Sequence, residues 1–110
     1  MRIKINESEI FKKLIEQNFQ IKMNQLPVGI TIDSRLQQPG DIYLPIVGDN
    51  FDGHDFNSNV AKNNPSLIIS EQDSKFDFPV IKTENNRETI RQIVMLWRKK
   101  VNPKIIGITG

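Results

Sequence analysis

Residues 28–56 read VGITIDSRLQQPGDIYLPIVGDNFDGHDF. Val28, Ile30 and Ile32 alternate with small or polar neighbours, the period-2 pattern of a strand with one buried face, and the pattern stops at Asp33. Gln38-Pro39-Gly40-Asp41 has the chemistry of a turn, because proline presets φ and glycine accepts a positive φ. A second strand is expected from Ile42 to Val47. Pro45 has no N–H to give a ladder, so this strand is expected at a sheet edge or with a bulge at Pro45. Gly48 to His54 is polar and short and reads as a loop.

On the amino-terminal side, Asn6 followed by Glu9 resembles a capping box, and Ile10, Phe11, Leu14 and Ile15 recur at helical spacing. A helix from about Ser8 to Asn18 is expected. Phe19, Ile21 and Met23 then alternate with polar residues and predict a short half-buried strand. On the other side, Phe56, Val60 and Ala61 form the apolar side of a short helix stopped by Asn63-Asn64-Pro65. Leu67 to Ile69 and Pro79 to Lys82 read as strands. Asn85 with Glu88 repeats the capping signature ahead of a stripe at Ile90, Ile93, Val94, Trp97 and Val101, the longest helix. Pro103 is expected to end it, and Lys104 to Thr109 reads as a buried-type strand. Helices and strands alternate, so the expected fold is α/β, a small layered domain with a mixed, partly parallel sheet and about three helices.

The chain of 110 residues, 37% hydrophobic and 25% charged, is one globular domain's worth. No apolar run approaches the ~20 residues of a membrane span, and no secretory signal is visible at the start. Without cysteine there is no disulfide framework and no thiolate nucleophile or metal ligand, which suits a reducing cytoplasm. The net charge is +2, but five aspartates and one arginine lie between residues 33 and 55, a local sum of −4. The positive remainder gathers at Lys12, Lys13, Lys22, Arg98, Lys99, Lys100 and Lys104. A pI near 9.0 and Trp97 beside that cluster motivate one alternative, a nucleic-acid module. Trp97, however, sits on the apolar helical stripe and reads as core.

No complete phosphate loop, no GxGxxG and no serine with a paired base is visible, so no catalytic residue is assigned. Metal binding fares no better. Placing Gly53 at the glycine position of a calcium loop puts Gly48 and Asn59 where carboxylates are required. What remains is a binding constellation: Asp33-Ser34-Arg35 at the end of one strand, and Gly48-Asp49-Asn50-Phe51-Asp52-Gly53-His54 at the end of another. In open α/β sheets ligands lie outside the carboxyl ends of strands. A hydroxyl, a guanidinium and loop N–H groups suit a diphosphate or a sugar, and an exposed phenyl ring can support a base. The alternative is local: Asp33 and Arg35 pair across a turn, and Asp49 and Asp52 cap turns.

The run from Thr31 to Phe56 resembles the amino-terminal domain of the Mur ligases. The family pattern is approximately T-D-S-R, then P-G-D-L-F-V-A-L-x-G, then F-D-G-H-D-F. The last element is most similar to the branch that joins D-alanyl-D-alanine to UDP-N-acetylmuramoyl-tripeptide, with the branch adding the third stem-peptide residue as runner-up. The closing K-I-I-G-I-T-G is similar to the strand that leads into the family's ATP-binding loop. The resemblance implies a UDP-sugar-binding domain over residues 1–103 and the first strand of a central ATP-binding domain over 104–110. Such a domain would hold UDP-N-acetylmuramoyl-peptide in the cytoplasm without catalysing anything alone. ATP and magnesium are implied for the full-length ligase only, the other domains of the same ligase are the implied partners, and neither nucleic acid nor membrane insertion is implied.

Carried over by position, Ile32 and Ser34 match family positions that contact the UDP-sugar. Asp49, Asn50 and Phe51, opened by Gly48, match the loop lying against the uridine, and Arg35 belongs to the motif. Two departures stand out. Pro45 replaces the usual alanine, and Asp49-Asn50 replaces a commoner Glu-Arg-like pair, which shifts the expected recognition from charge to N–H groups and hydroxyls.

Overall fold

A computed structural model describes residues 2–101. Five strands, β1 (Arg2–Lys4), β2 (Gly29–Thr31), β3 (Ile42–Tyr43), β4 (Leu67–Ser70) and β5 (Val80–Lys82), lie side by side in chain order. β1 runs antiparallel to β2, with Ile3 opposite Ile30. The other three pairings are parallel, with Ile30 beside Ile42, Ile42 beside Leu67, and Ile68 beside Val80. Helices α1 (Ser8–Phe19), α2 (Asn57–Ala61) and α3 (Asn86–Val101) complete the mixed α/β layers that the alternation predicts.

Residue parity assigns the two faces. Ile30, Ile42, Leu44, Leu67, Ile69 and Ile81 form the main core with Phe11 and Ile15 of α1 and Ile93 of α3. Trp97 joins this core, edge-on to Phe11 at 5.0 Å and 80°, so its ring packs as the helical stripe predicts. The opposite face buries Tyr43 and Ile68 under Val60 of α2, with Phe76 and Phe78 alongside. Each fully buried aliphatic or aromatic side chain contributes about 1.5–3 kcal/mol.

Several boundaries differ from expectation. Asn6 caps nothing. The residue ahead of α1 is Glu7, without a side-chain cap bond, because Ile5 is still tied to Val28 O at 3.0 Å and the helix turns later. No strand forms at 19–23: Phe19 closes α1, Gln20 turns left-handed at φ 52°, and Met23 N–H goes to the Glu16 carboxylate at 2.9 Å. The alternation there reflects a chain wrapping back over the helix end. β1, which no reading assigned, pairs with β2 instead.

β3 ends at Tyr43, not Val47, and is interior, with β2 and β4 on its two sides. Pro45 therefore lies past the ladder and neither marks an edge nor bulges a strand. Its missing N–H coincides with the ladder's stop. The 38–41 turn is as expected, closed by Asp41 N–H to Gln38 O at 3.0 Å with Gly40 at φ +87°. Asn85 caps α3, accepting the Glu88 N–H at 3.1 Å. Among the described residues no helix is long and apolar enough to cross a membrane. The expected stop at Pro103, the strand at 104–109 and the domain boundary all lie outside the described residues.

Candidate functional site

The carboxyl ends of β2, β3, β4 and β5 share one edge of the sheet, as parallel pairing requires. At the end of β2 the chain enters a 3-10 turn, Ser34–Leu36, capped by Asp33, whose Oδ1 accepts the Arg35 N–H at 3.0 Å. The Arg35 guanidinium folds back on the same carboxylate, at 3.1 Å from Nε and 2.8 Å from Nη2. These bonds from Arg35 hold the Asp33 carboxyl down at about 2.

Asp33 binds its proton more weakly in the folded chain, so its contribution to stability is complete above the ordinary value of 3.8 and lost as pH falls toward about 2. A carbon-detected NMR titration should place its midpoint near the lower figure. Arg35→Met should return it toward the ordinary value, and an unmoved midpoint in that variant would refute the assignment.

Beyond β3 the chain forms a small hairpin. Val47 bridges Asp52, Gly48 N–H donates to Phe51 O at 2.6 Å, and Gly53 N–H donates to Ile46 O at 2.9 Å. Gly53 must be glycine here, since a Cβ would come within 2.9 Å of Ile46 N and 3.0 Å of Pro45 Cα. A second 3-10 turn, Gly53–Phe56, follows, capped by Asp52. Tyr43 donates its hydroxyl to Gly53 O at 2.7 Å, and burial pushes that hydroxyl up to about 12, so it remains a neutral donor.

The two corners face each other across a cleft of about 560 Å³, lined by Ile32, Asp33, Ser34 and Arg35 on one side and Phe51 and Phe56 on the other. Phe51 is 51% exposed and stacks on Phe56, centroids 5.6 Å apart and 24° between planes. The structure thus brings Ile32, Ser34, Arg35 and Phe51 together. Gly48 closes the hairpin, while Asp49 and Asn50 stand exposed at its tip, outside the lining. Phe56, assigned from sequence to the apolar side of α2, lies instead in the preceding 3-10 turn and backs Phe51. The repeated Phe at each end of F-D-G-H-D-F was the available signal.

Both local readings of the aspartates hold in part: Asp33 pairs with Arg35, and Asp52 caps His54 N–H at 2.9 Å. That N–H, then the ring, draws the Asp52 carboxyl below its ordinary range. Among the described residues no cluster of His, Asp or Glu side chains could hold a metal ion.

A profile described as the Mur ligase family, catalytic domain, matches residues 27–102. The UDP-N-acetylmuramoyl-tripeptide–D-alanyl-D-alanine ligase of Buchnera aphidicola is 32% identical over 74% of this chain and 18% of its own length. The UDP-N-acetylmuramoyl-L-alanyl-D-glutamate–2,6-diaminopimelate ligase of Bacillus velezensis is 30% identical over 74% of this chain and 17% of its own. The chain thus spans about a fifth of the length of the curated relatives it matches. Among solved structures, a UDP-N-acetylmuramoylalanyl-D-glutamyl-2,6-diaminopimelate–D-alanyl-D-alanyl ligase from Acinetobacter baumannii superposes with a TM-score of 0.65 at 24% identity, covering 81% of this chain and 21% of that one. MurF ligase from Thermotoga maritima, solved with ADP, gives 0.60 at 22% identity over 64% and 17%. With more than half of its length matched by the family profile and its fold shared with those ligases, this chain belongs to the Mur ligase family.

Proposed function

We propose that this domain holds the uridine diphosphate end of UDP-N-acetylmuramoyl-tripeptide for a cytoplasmic ligase that adds D-alanyl-D-alanine during peptidoglycan precursor synthesis. The observation that carries the reading is the cleft itself, where a serine hydroxyl and an apolar floor face an exposed phenyl ring at the carboxyl edge of a parallel sheet. Uracil stacks on Phe51, whose orientation Phe56 supports. Ile32 supplies the apolar floor, and the Ser34 hydroxyl bonds the sugar or a phosphate oxygen. Gly48, Asp49 and Asn50 serve by shaping the hairpin and its rim. Relatives of both the D-alanyl-D-alanine and the diaminopimelate kind are about equally similar. The F-D-G-H-D-F wording favours the first.

Arg35 is already neutralised by Asp33, so it is not a free phosphate clamp. ATP and magnesium, which this reading gives to the complete ligase, do not fit the described residues, which offer neither a metal-ligating cluster nor a phosphate loop. Their chemistry belongs to other domains of the ligase, the partners of this one.

Calorimetric titration with UDP-N-acetylmuramoyl-tripeptide tests the reading. Ser34→Ala should weaken binding by about 1 kcal/mol, one lost hydrogen bond, with an unchanged melting temperature. Phe51→Ala should cost about 1–3 kcal/mol through lost stacking. Raising salt should barely alter the wild-type affinity, whereas a random oligonucleotide bound through the basic cluster would dissociate steeply. Equal affinity in the Ser34 and Phe51 variants would reject the site.

A further inference from the structure

His54 lies outside the cleft, yet every polar atom of its ring is used. The ring is buried, 6% exposed as a residue. Nδ1 meets Asp52 Oδ1 at 2.7 Å, and Nε2 accepts the backbone N–H of Glu71 at 2.9 Å. Because Nε2 accepts, the proton sits on Nδ1 and is donated to Asp52. Such a histidine has no nitrogen left for substrate and is no general base. It spans two chain segments instead: Asp52 is the base of the hairpin, opposite Val47, and Glu71 directly follows β4.

Two further groups hold the same hairpin from the same side. Arg87 Nη2 donates to Val47 O at 3.1 Å, and Asn86 Nδ2 donates to Pro45 O at 2.6 Å, both from the start of α3. The cleft opens on the other flank, where Phe51 faces the β2 corner. Arg87 is exposed and its bond is easily exchanged for water, whereas the His54 ring is buried and its bonds tie Asp52, one residue from Phe51, to the sheet.

We propose that His54 is a positioning residue: its ring latches the Phe51 hairpin to the end of β4 and thereby sets the affinity of the cleft for a uracil nucleotide. The nucleotide part of this inference rests on the proposed function; the latch does not. Without the ring bonds, the hairpin retains its own two-stranded pairing, the Tyr43 hydroxyl bond to Gly53 O and the α3 contacts, and a two-stranded hairpin on its own is marginally stable in water. Phe51 then samples many positions, and the ligand must order it on binding.

The test compares the wild-type chain with His54→Phe, which keeps a ring of similar size but offers no nitrogen, and His54→Gln, which restores one donor and one acceptor. Hydrogen exchange is followed at the Gly48 amide, which closes the hairpin, and at Phe11 and Ile15 in the core. Uridine diphosphate is titrated in parallel. In His54→Phe, Gly48 exchange should rise and uridine diphosphate affinity fall, each about tenfold, with core amides nearly unchanged, and Gln should recover most of both. Gly48 exchange at the wild-type rate, or a rise shared equally by the core amides, overturns the latch. If His54→Phe does not fold, Asp52→Ala, which removes the partly exposed partner, is read by the same criteria. Failure of the wild-type chain to bind uridine diphosphate would count against the proposed function and leave the exchange result to judge the latch.

Discussion

Replacing Arg2 with methionine should destabilise the domain by about 3–5 kcal/mol, measured by urea unfolding. Asp41 is wholly buried, and Arg2 forks onto it with both bonds at 2.7 Å. Among the described residues the one other partner of that carboxylate is the Gln38 N–H at 3.0 Å, which belongs to the turn. Removing the guanidinium strands a charge in a dry site, and that penalty exceeds the Coulomb energy of an exposed pair. Arg2 itself is held above its usual range, first by the hydrogen bond to Asp41. Lysine at this position should recover less than half of the loss, because a point charge cannot fork. Arg2→Met combined with Asp41→Leu should be markedly more stable than Arg2→Met alone, since the unpaired charge is gone. A loss below about 1 kcal/mol in the single variant would mean that water reaches the carboxylate. Gly29 shares the constraint, as a Cβ there would lie 2.7 Å from Arg2 Nη2 and 2.8 Å from Asp41 Oδ1.

The second large effect is expected at Asn86, which is wholly buried. Its Nδ2 donates to Pro45 O at 2.6 Å and Ile69 O at 2.8 Å, and its Oδ1 accepts from the Thr83 hydroxyl at 2.6 Å. One amide thus joins the exit of β3, the end of β4 and the residue after β5. Its own backbone N–H is taken by the Glu71 carboxylate at 2.8 Å. Asn86→Ala leaves two buried carbonyls and a hydroxyl without partners, at a cost of about 2–4 kcal/mol. Asn86→Asp should be at least as damaging. It is nearly the same shape, but an oxygen would face both carbonyls where a donor is needed. An aspartate variant as stable as wild type in thermal unfolding would refute the donor assignment.

These two side chains mark what the sequence alone reveals and what it conceals. The parallel sheet was legible because β4 is a continuous apolar run and α3 carries a clean stripe with its own cap. The meeting of the two corners was legible too, since both follow parallel strands and must emerge on one edge. Pro45 misled because the absence of an N–H says where a ladder stops, whereas the apolar run itself continues past it to Val47. The alternation at Phe19, Ile21 and Met23 misled because a chain wrapped over a helix end also buries every second side chain. Arg2–Asp41 and Asn86–Pro45 join residues some forty positions apart, and no local spacing announces such a bond. His54 reads as a loop residue and does lie in the second 3-10 turn, but nothing near it in the chain identifies Glu71 as its partner.

The left-to-right order of the sheet has a consequence for biogenesis. Each strand docks against its immediate predecessor, so none has to be threaded between two already in place. A nascent chain emerging from the ribosome can extend the sheet one neighbour at a time, each pairing waiting only for the connection that leads to it. The amino-terminal salt bridge can therefore be in place once the turn at residue 41 has emerged, well before the last helix is synthesised.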